Sequence, residues 1–171
     1  MHIEDFNALD DAEARAALLA CAAVDDWAER LAGARPYGSP TALVDDARAL
    51  AAAWSPEQVE AALADHPRIG ERPRGEGASS AHSRREQAGV DAGDADLARR
   101  LAEGNARYEE RFGRIYLVRA KGRSGAELLD LLEQRLANDP VTELEVTREQ
   151  LAEIALLRLG ELVGIDTGAM A

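Results

Sequence analysis

The residues best suited to chemistry lie in one short segment between His66 and Arg85. Two of the chain's three histidines, His66 and His82, fall in this segment, together with five arginines and two glutamates, a local balance of +3. The 171-residue chain as a whole carries a net charge of −12. A cationic segment in an anionic protein attracts anions, and a histidine titrates near neutral pH. The segment therefore predicts a pocket for a small anion, with a titratable histidine at its edge.

His66 and Glu86 are the side chains of this region that could move a proton. Pro67 disfavours helical backbone in the residue before it, so His66 is predicted to follow the end of a helix, where exposed carbonyls favour a cationic ring. A histidine, a carboxylate, the Gln87 amide and several arginines can bind a carboxylated heterocycle and transfer one proton without a cofactor. Taken singly, His66 also fits a helix-end residue and Glu86 a solvated helix residue, so the spacing leaves both interpretations open.

A metal site is not predicted by the histidines and the single cysteine, because they show no spacing of the zinc-ligand type. Neither a phosphate-binding nor a dinucleotide-binding glycine motif is present. Arg158 stands in the apolar stretch 154–159, where a guanidinium group needs a partner or must reach outward to water. Spacing alone does not decide between these two positions for Arg158.

The composition and charge predict a helical protein and argue against nucleic acid or a membrane as its partner. Alanine and leucine dominate the apolar residues, which favours helix over sheet. A net charge of −12 argues against a nucleic-acid partner. No apolar run approaches the ~18–20 residues that a bilayer requires, and no signal peptide is recognisable. With Cys21 as the only cysteine, interpreted as a buried core residue, we expect no membrane association and a cytoplasmic location.

Capping residues divide the chain into about eight helices. Several predicted starts combine Ser or Asp with Pro, Glu or Gln at the following positions. The predicted ranges are 14–24, 25–32, 39–53, 55–65, 79–89, 95–112, 124–136 and 142–163, the last with an interruption near Thr147. The run 114–120 is strand-like but too isolated to form a sheet. The fold class is therefore all-α, as a single compact domain over residues 1–171.

Several short motifs, in order along nearly the whole chain, resemble one enzyme family. These motifs are Phe6-Asn7, Trp27, His66-Pro67-Arg68-Ile69-Gly70, Ser83-Arg84-Arg85-Glu86-Gln87, Asn105 with Tyr108, Phe112 and Gly113, Tyr116 to Gly122, and Glu153-Ile154 with Arg158. Each is weak alone, but the ordered set is specific. The chain resembles the 2-oxo-4-hydroxy-4-carboxy-5-ureidoimidazoline (OHCU) decarboxylases of uric acid degradation, which are all-α proteins.

The resemblance implies a role for each matching residue. His66 resembles the catalytic proton donor, and Glu86 the second catalytic group. The substrate-binding set that the resemblance implies is Pro67, Ser83, Arg84, Arg85, Gln87, Tyr116, Leu117, Val118, Arg119, Ala120 and Arg158. Within it, Arg158 resembles an anion-pairing arginine, and Tyr116 to Ala120 an extended segment whose backbone meets the substrate ring. Arg119 departs from the more apolar family pattern, and no role is assigned to Glu71 or to arginines 68, 72 and 74.

The activity implied by the resemblance is a decarboxylation of the anionic ureidoimidazoline to (S)-allantoin in purine catabolism, without metal or cofactor. The resemblance also allows a homodimer. The alternative is a helical module without catalytic activity that binds a small anionic ligand or a partner helix. Turnover distinguishes the two, because the alternative predicts binding alone.

Overall fold

The computed structural model describes residues 1–64, 66–70 and 94–165. These residues form eight helices and no strand. The helices are α1 (Ile3–Ala8), α2 (Asp11–Cys21), α3 (Asp25–Gly33), α4 (Pro40–Ala51), α5 (Pro56–Leu63), α6 (Ala95–Phe112), α7 (Gly125–Arg135) and α8 (Pro140–Leu162). The predicted all-α fold class is confirmed. The predicted helix over 79–89 lies outside the described residues.

Side chains cap the first turns of α2 and α4, as the Asp and Ser start signals in the sequence predict. The Asp10 carboxylate accepts a hydrogen bond from the Glu13 N–H at 2.8 Å, and the Ser39 hydroxyl accepts one from the Ala42 N–H at 3.1 Å. Such a cap satisfies a backbone N–H that has no partner within the helix. Because the bond joins residues three apart, the local sequence is enough to predict it.

Helix α8 differs from its prediction at two points. It begins at Pro140, two residues before the predicted start, because the Asp139 carboxylate accepts from the N–H groups of Val141 and Thr142 at 3.0 and 3.1 Å. The predicted interruption near Thr147 is wrong. The Thr147 hydroxyl donates to the Glu143 carbonyl at 2.8 Å, a bond along the helix that leaves it continuous to Leu162.

Helix α1 was not predicted, because six residues give too little periodicity to detect. The Asp5 carboxylate accepts from the His2 N–H at 3.0 Å, which closes its first turn. Its apolar residues Ile3 and Phe6 are buried. The N-terminal ammonium of Met1 donates to the Leu162 carbonyl at 2.7 Å. Burial and a charged terminal hydrogen bond therefore hold a helix that would be too short to persist alone.

The first of two compact units comprises Met1–Ala62 and the chain from Ala152 onward. Helix α3 packs against α2 and α4 in this unit. Trp27 is 1% exposed, and its indole N–H donates to the Ala47 carbonyl at 3.0 Å. The ring of Trp54 meets Trp27 edge-on, with 6.0 Å between centroids. Two tryptophans thus supply much of the apolar volume that these short helices share.

The second unit, Leu63–Leu151, carries most of the described candidate site residues. Helices α6 and α7 pack together, and Gly104 allows the close approach, since a Cβ atom there would lie 2.5 Å from a methyl carbon of Leu132. The core of this unit consists of Ile69, Leu101, Tyr108, Tyr116, Val118, Ala120, Leu128, Leu129 and Leu132. Among the described helices of the whole chain, none combines the length and apolarity needed to cross a membrane. The single domain over 1–171 stays a prediction.

Candidate active site

His66 lies three residues after Leu63, the last residue of helix α5, close to the helix end that its sequence position predicts. Its backbone N–H donates to the Leu63 carbonyl at 3.0 Å, a hydrogen bond that continues the last turn of the helix. The residue is half-buried. The carbonyl ends of a helix carry partial negative charge, which favours a cation nearby. An imidazole can hold a proton and release it to a bound molecule.

Arg68 forms an ion pair with Glu109 that the sequence did not predict. Its Nε and Nη2 atoms donate to the two carboxylate oxygens at 2.5 and 2.8 Å. These hydrogen bonds hold the pKa of Glu109 below its usual value. The bidentate geometry fixes the backbone two residues after His66 against helix α6. The sequence could have indicated that Glu109 faces the same side as Asn105, because the two residues are one helical turn apart.

A pocket of about 290 Å³ lies beside the segment that follows His66. Its wall consists of Arg68, Ile69, Gly70, Ala98, Ala102, Asn105, Ala106 and Glu109. Asn105 is 5% exposed, and its amide nitrogen donates to the Ile69 carbonyl at 3.0 Å. This bond holds Ile69 against α6. The pocket is large enough for a small heterocycle and presents both charges of the Arg68 ion pair.

The segment 116–120 belongs to neither a helix nor a strand, so the strand-like run predicted over 114–120 forms no sheet in the described residues. Tyr116, Leu117, Val118 and Ala120 are all buried, and Arg119 is half-buried. Burial of consecutive residues means that the backbone itself is enclosed. Its peptide groups therefore need hydrogen-bond partners other than a neighbouring strand.

A buried arginine on α7 supplies one of these partners, and the sequence did not predict it. Arg135 is 6% exposed, and its Nη1 atom donates to the Leu117 carbonyl at 2.5 Å. Its Nε atom donates to Glu143, which is 0% exposed, at 2.7 Å. The Tyr108 hydroxyl also donates to Glu143, and burial raises the pKa of Tyr108 to about 12. The phenol therefore stays a hydrogen-bond donor at neutral pH.

Arg158 lies on α8 in the first unit, and it does not reach outward to water. It is 2% exposed, and its Nη1 atom donates to the Cys21 carbonyl at 3.3 Å. The sequence left open whether the guanidinium has a partner inside the protein or reaches outward to water. In the structure it is buried and has a partner. Cys21 is buried as predicted, and this burial raises the pKa of its thiol to about 12. The thiol is therefore not a nucleophile at neutral pH.

Five candidate residues, Ser83, Arg84, Arg85, Glu86 and Gln87, lie outside the described residues, as do His82, Glu71 and arginines 72 and 74. Of the other candidates, His66, Pro67 and Tyr116 to Ala120 belong to the second unit, and Arg158 belongs to the first. Within 1–64, 66–70 and 94–165, no three His, Cys, Asp or Glu side chains converge as metal ligands would. The roles of all these residues stay predictions.

Two relatives of this chain bear the same name. A decarboxylase of OHCU from Amia calva is 39% identical over 103 residues, which cover 57% of this chain and 57% of that protein. The corresponding protein of Mus musculus is 36% identical over 107 residues, covering 61% and 60%. The alignments thus span less than two thirds of these curated relatives.

A solved structure and the family pattern extend the similarity over most of the chain. The crystal structure of an OHCU decarboxylase in the presence of (S)-allantoin superposes with a TM-score of 0.71 at 26% identity, covering 84% of this chain and 94% of that one. The sequence model of OHCU decarboxylase matches residues 7–160. The similarity that the ordered motifs indicated is therefore confirmed, and the chain belongs to the OHCU decarboxylase family.

Proposed function

We propose that this protein decarboxylates 2-oxo-4-hydroxy-4-carboxy-5-ureidoimidazoline to (S)-allantoin, with His66 as the proton donor. The observation that carries the proposal is the family match over residues 7–160, within which His66 lies at the end of α5. The relatives of Amia calva and Mus musculus bear the name of this decarboxylase. The position of His66 supplies the physical reason for its role, since a helix end favours the ring that carries the proton.

The substrate contains its own electron acceptor. Its carboxylate stands on a carbon next to a ring C=N group, as in a nitrogen analogue of a β-keto acid. When the bond to CO2 breaks, its electron pair passes toward the imine and leaves an enaminol. A proton then adds to the ureido-bearing carbon, and the face that receives it sets the configuration of allantoin. The protein must orient the substrate, hold its charge and deliver that proton to one face.

In this proposal, His66 and Glu86 have different roles in the reaction. Glu86 hydrogen-bonds the hydroxyl or a ring nitrogen, and His66 protonates the carbon. A positioned proton donor contributes about 10²–10⁴ in rate. Because the substrate also decays without a catalyst, the excess of the (S)-enantiomer measures this step more sharply than the loss of substrate does. A binding module without activity would leave the product racemic.

Arg158 is the proposed partner of the substrate's carboxylate. A guanidinium group can bind a carboxylate through two parallel hydrogen bonds, and a desolvated site strengthens them. Arg158 is buried, and its Nη1 atom has the Cys21 carbonyl as an acceptor. That contact helps to fix the direction of the side chain. Replacing Arg158 by alanine should therefore raise KM strongly, while Arg158→Lys should recover part of the affinity.

The test generates the substrate in situ from urate with the enzymes that oxidise and hydrolyse it, and follows absorbance and optical rotation. The wild-type protein should give (S)-allantoin above the spontaneous rate. His66→Ala should lose both the acceleration and the enantiomeric excess, with an unchanged circular-dichroism spectrum. His2→Ala is the matched control, because His2 is exposed and lies at the start of α1. If wild-type protein binds (S)-allantoin but does not change rate or chirality, the binding module is the correct function.

A further inference from the structure

Three side chains hold one edge of the backbone between Leu117 and Ala120. Arg135 donates to the Leu117 carbonyl at 2.5 Å, and Arg123 donates to the Arg119 carbonyl at 2.9 Å. Gln150 accepts from the Arg119 N–H through its Oε1 atom at 3.0 Å. All three bonds are made by backbone groups of alternate residues, Leu117 and Arg119. In extended backbone, alternate residues direct both their N–H and C=O groups to the same side, so this pattern is that of one edge of an isolated strand.

Among the described residues, no side chain holds the opposite edge of this backbone in the same way. A trans peptide directs its C=O and N–H groups in opposite directions, and the cis bond found in the described residues is elsewhere, at Arg35-Pro36. The Val118 N–H, the Val118 C=O and the Ala120 N–H therefore point away from the three anchoring side chains. None of the three makes a hydrogen bond within the described part of the chain. Val118 and Ala120 are only 3% and 5% exposed.

A buried peptide group without a partner is unusual, because it costs about as much as a lost hydrogen bond. Here three such groups follow one another as donor, acceptor and donor. A planar ureide carries N–H and C=O groups in alternation, so it can satisfy this edge as a neighbouring strand would. The family resemblance implied that this backbone meets the substrate ring. It did not identify what holds the backbone or which of its groups remain for a ligand.

The guanidinium of Arg135 is itself held from several sides. Besides Glu143, it contacts Thr147, to which Nη2 donates at 3.1 Å. It also lies over the ring of Tyr116, 5.0 Å from the centroid. A buried ion pair gives little net stability compared with apolar residues of the same volume. Its definite effect here is directional, since it fixes where the Leu117 carbonyl points.

We propose that Arg135, Gln150 and Arg123 are positioning residues that hold 117–120 so that Val118 and Ala120 present a donor–acceptor–donor edge to the ureide substrate. This inference rests on the proposed function. The three side chains do not touch the substrate, and act through the backbone that does. They should affect KM and the enantiomeric excess, because a substrate that is less well oriented exposes both faces to the proton donor.

Gln150 offers the cleanest test, because it is half-buried and its replacement leaves the Arg135 ion pair in place. Gln150→Leu removes the acceptor for the Arg119 N–H, whereas Gln150→Glu keeps a carboxylate oxygen there. In the Leu variant we expect KM to rise about tenfold, as for the loss of one well-placed hydrogen bond, with a reduced excess of (S)-allantoin. The Glu variant should restore both values. Calorimetric titration with (S)-allantoin should show the same order of affinities.

Arg35→Lys is the control for a general loss of packing. Arg35 also donates to backbone carbonyls, those of Leu9 at 2.6 Å and Ala32 at 2.8 Å, but in the first unit. The Arg35→Lys substitution should lower the melting temperature of the protein and leave KM and the excess of (S)-allantoin unchanged. If the wild type is active and Gln150→Leu matches it, or if Gln150→Glu fails to rescue, the inference is wrong although the proposed function stands. An inactive wild type would remove both together.

Discussion

Removing the carboxylate of Glu143 should destabilise the protein more than any other single charge change on α8. Glu143 is 0% exposed and Arg135 is 6% exposed, so neither can turn to water when its partner is lost. In Glu143→Leu, the Arg135 guanidinium loses its counter-charge. The Tyr108 hydroxyl and the Asn138 amide, which donates to Glu143 at 2.8 Å, lose their acceptor as well. The perturbation therefore leaves one buried charge without its counter-charge and removes an acceptor from two polar groups.

The magnitude follows from the cost of a broken buried ion pair, which is about 3–5 kcal/mol. Whole domains are stable by only about 5–15 kcal/mol, so the variant should lose a large fraction of its stability. In proteins of this size one kcal/mol shifts the melting temperature by roughly 2–4 °C. We therefore expect the melting temperature of Glu143→Leu to fall by roughly 6–20 °C.

Urea unfolding followed by circular dichroism measures this difference directly. Glu145→Leu is the control on the same helix, because Glu145 pairs with Arg148 at 2.7 Å with 55% of its side chain exposed. An exposed pair is worth about 0–1 kcal/mol. Comparing the two variants separates the loss of a buried partner from the general effect of placing leucine on α8.

The double variant Arg135→Met with Glu143→Leu tests the reasoning itself. With both charges gone, the apolar side chains fill similar volume, and most of the lost stability should return. Two results would refute the argument. One is a Glu143→Leu variant no less stable than Glu145→Leu. The other is a double variant less stable than Glu143→Leu alone, which would mean that the guanidinium contributes through contacts other than its counter-charge.

Three further changes probe packing, pH dependence and thiol reactivity. Gly104→Ala should lower the free energy of unfolding by about 1–3 kcal/mol in urea titrations, because its Cβ would overlap Leu132, although alanine favours helix. Glu109→Gln should reduce stability above pH 4.5 and have little effect well below it, since the ion pair with Arg68 lowers the folded pKa and is lost on protonation. Cys21 should react with a disulfide reagent at pH 8 only at the rate of unfolding, because its pKa is raised to about 12, and fast labelling of native protein would contradict its burial.

The helix starts were predictable because their determinants are local. Asp10, Ser39, Ser55, Asp94 and Ser124 each cap the helix that follows, through bonds to residues two or three positions later. The order of helices and the all-α class follow from these caps and from the alanine- and leucine-rich composition. The start of α8 was predicted two residues too late, at 142, because Asp139 followed by proline at the first helical position is itself a start signal.

The candidate site was only partly predictable. A proline after His66 was enough to place that residue at a helix end. The partners of the segment 116–120 were not found, because they come from distant parts of the chain. Arg135 is 18 residues from Leu117, and Gln150 is 31 residues from Arg119. On a single helix, an arginine or glutamate looks like an ordinary solvated residue, and only tertiary packing shows that its charge is enclosed.

One pattern in α8 could nevertheless have indicated these contacts. Glu143, Thr147 and Gln150 stand at spacings of four and three, so they form a polar stripe along one face of the helix. Two of the three are 0% exposed, and the third is the acceptor for Arg119. A threonine within a helix was interpreted as an interruption, whereas at this spacing it joins two other polar groups. A buried backbone without a neighbouring strand must bond to side chains. Gln150 bonds to it directly, whereas Glu143 and Thr147 hold the Arg135 side chain that bonds to the Leu117 carbonyl.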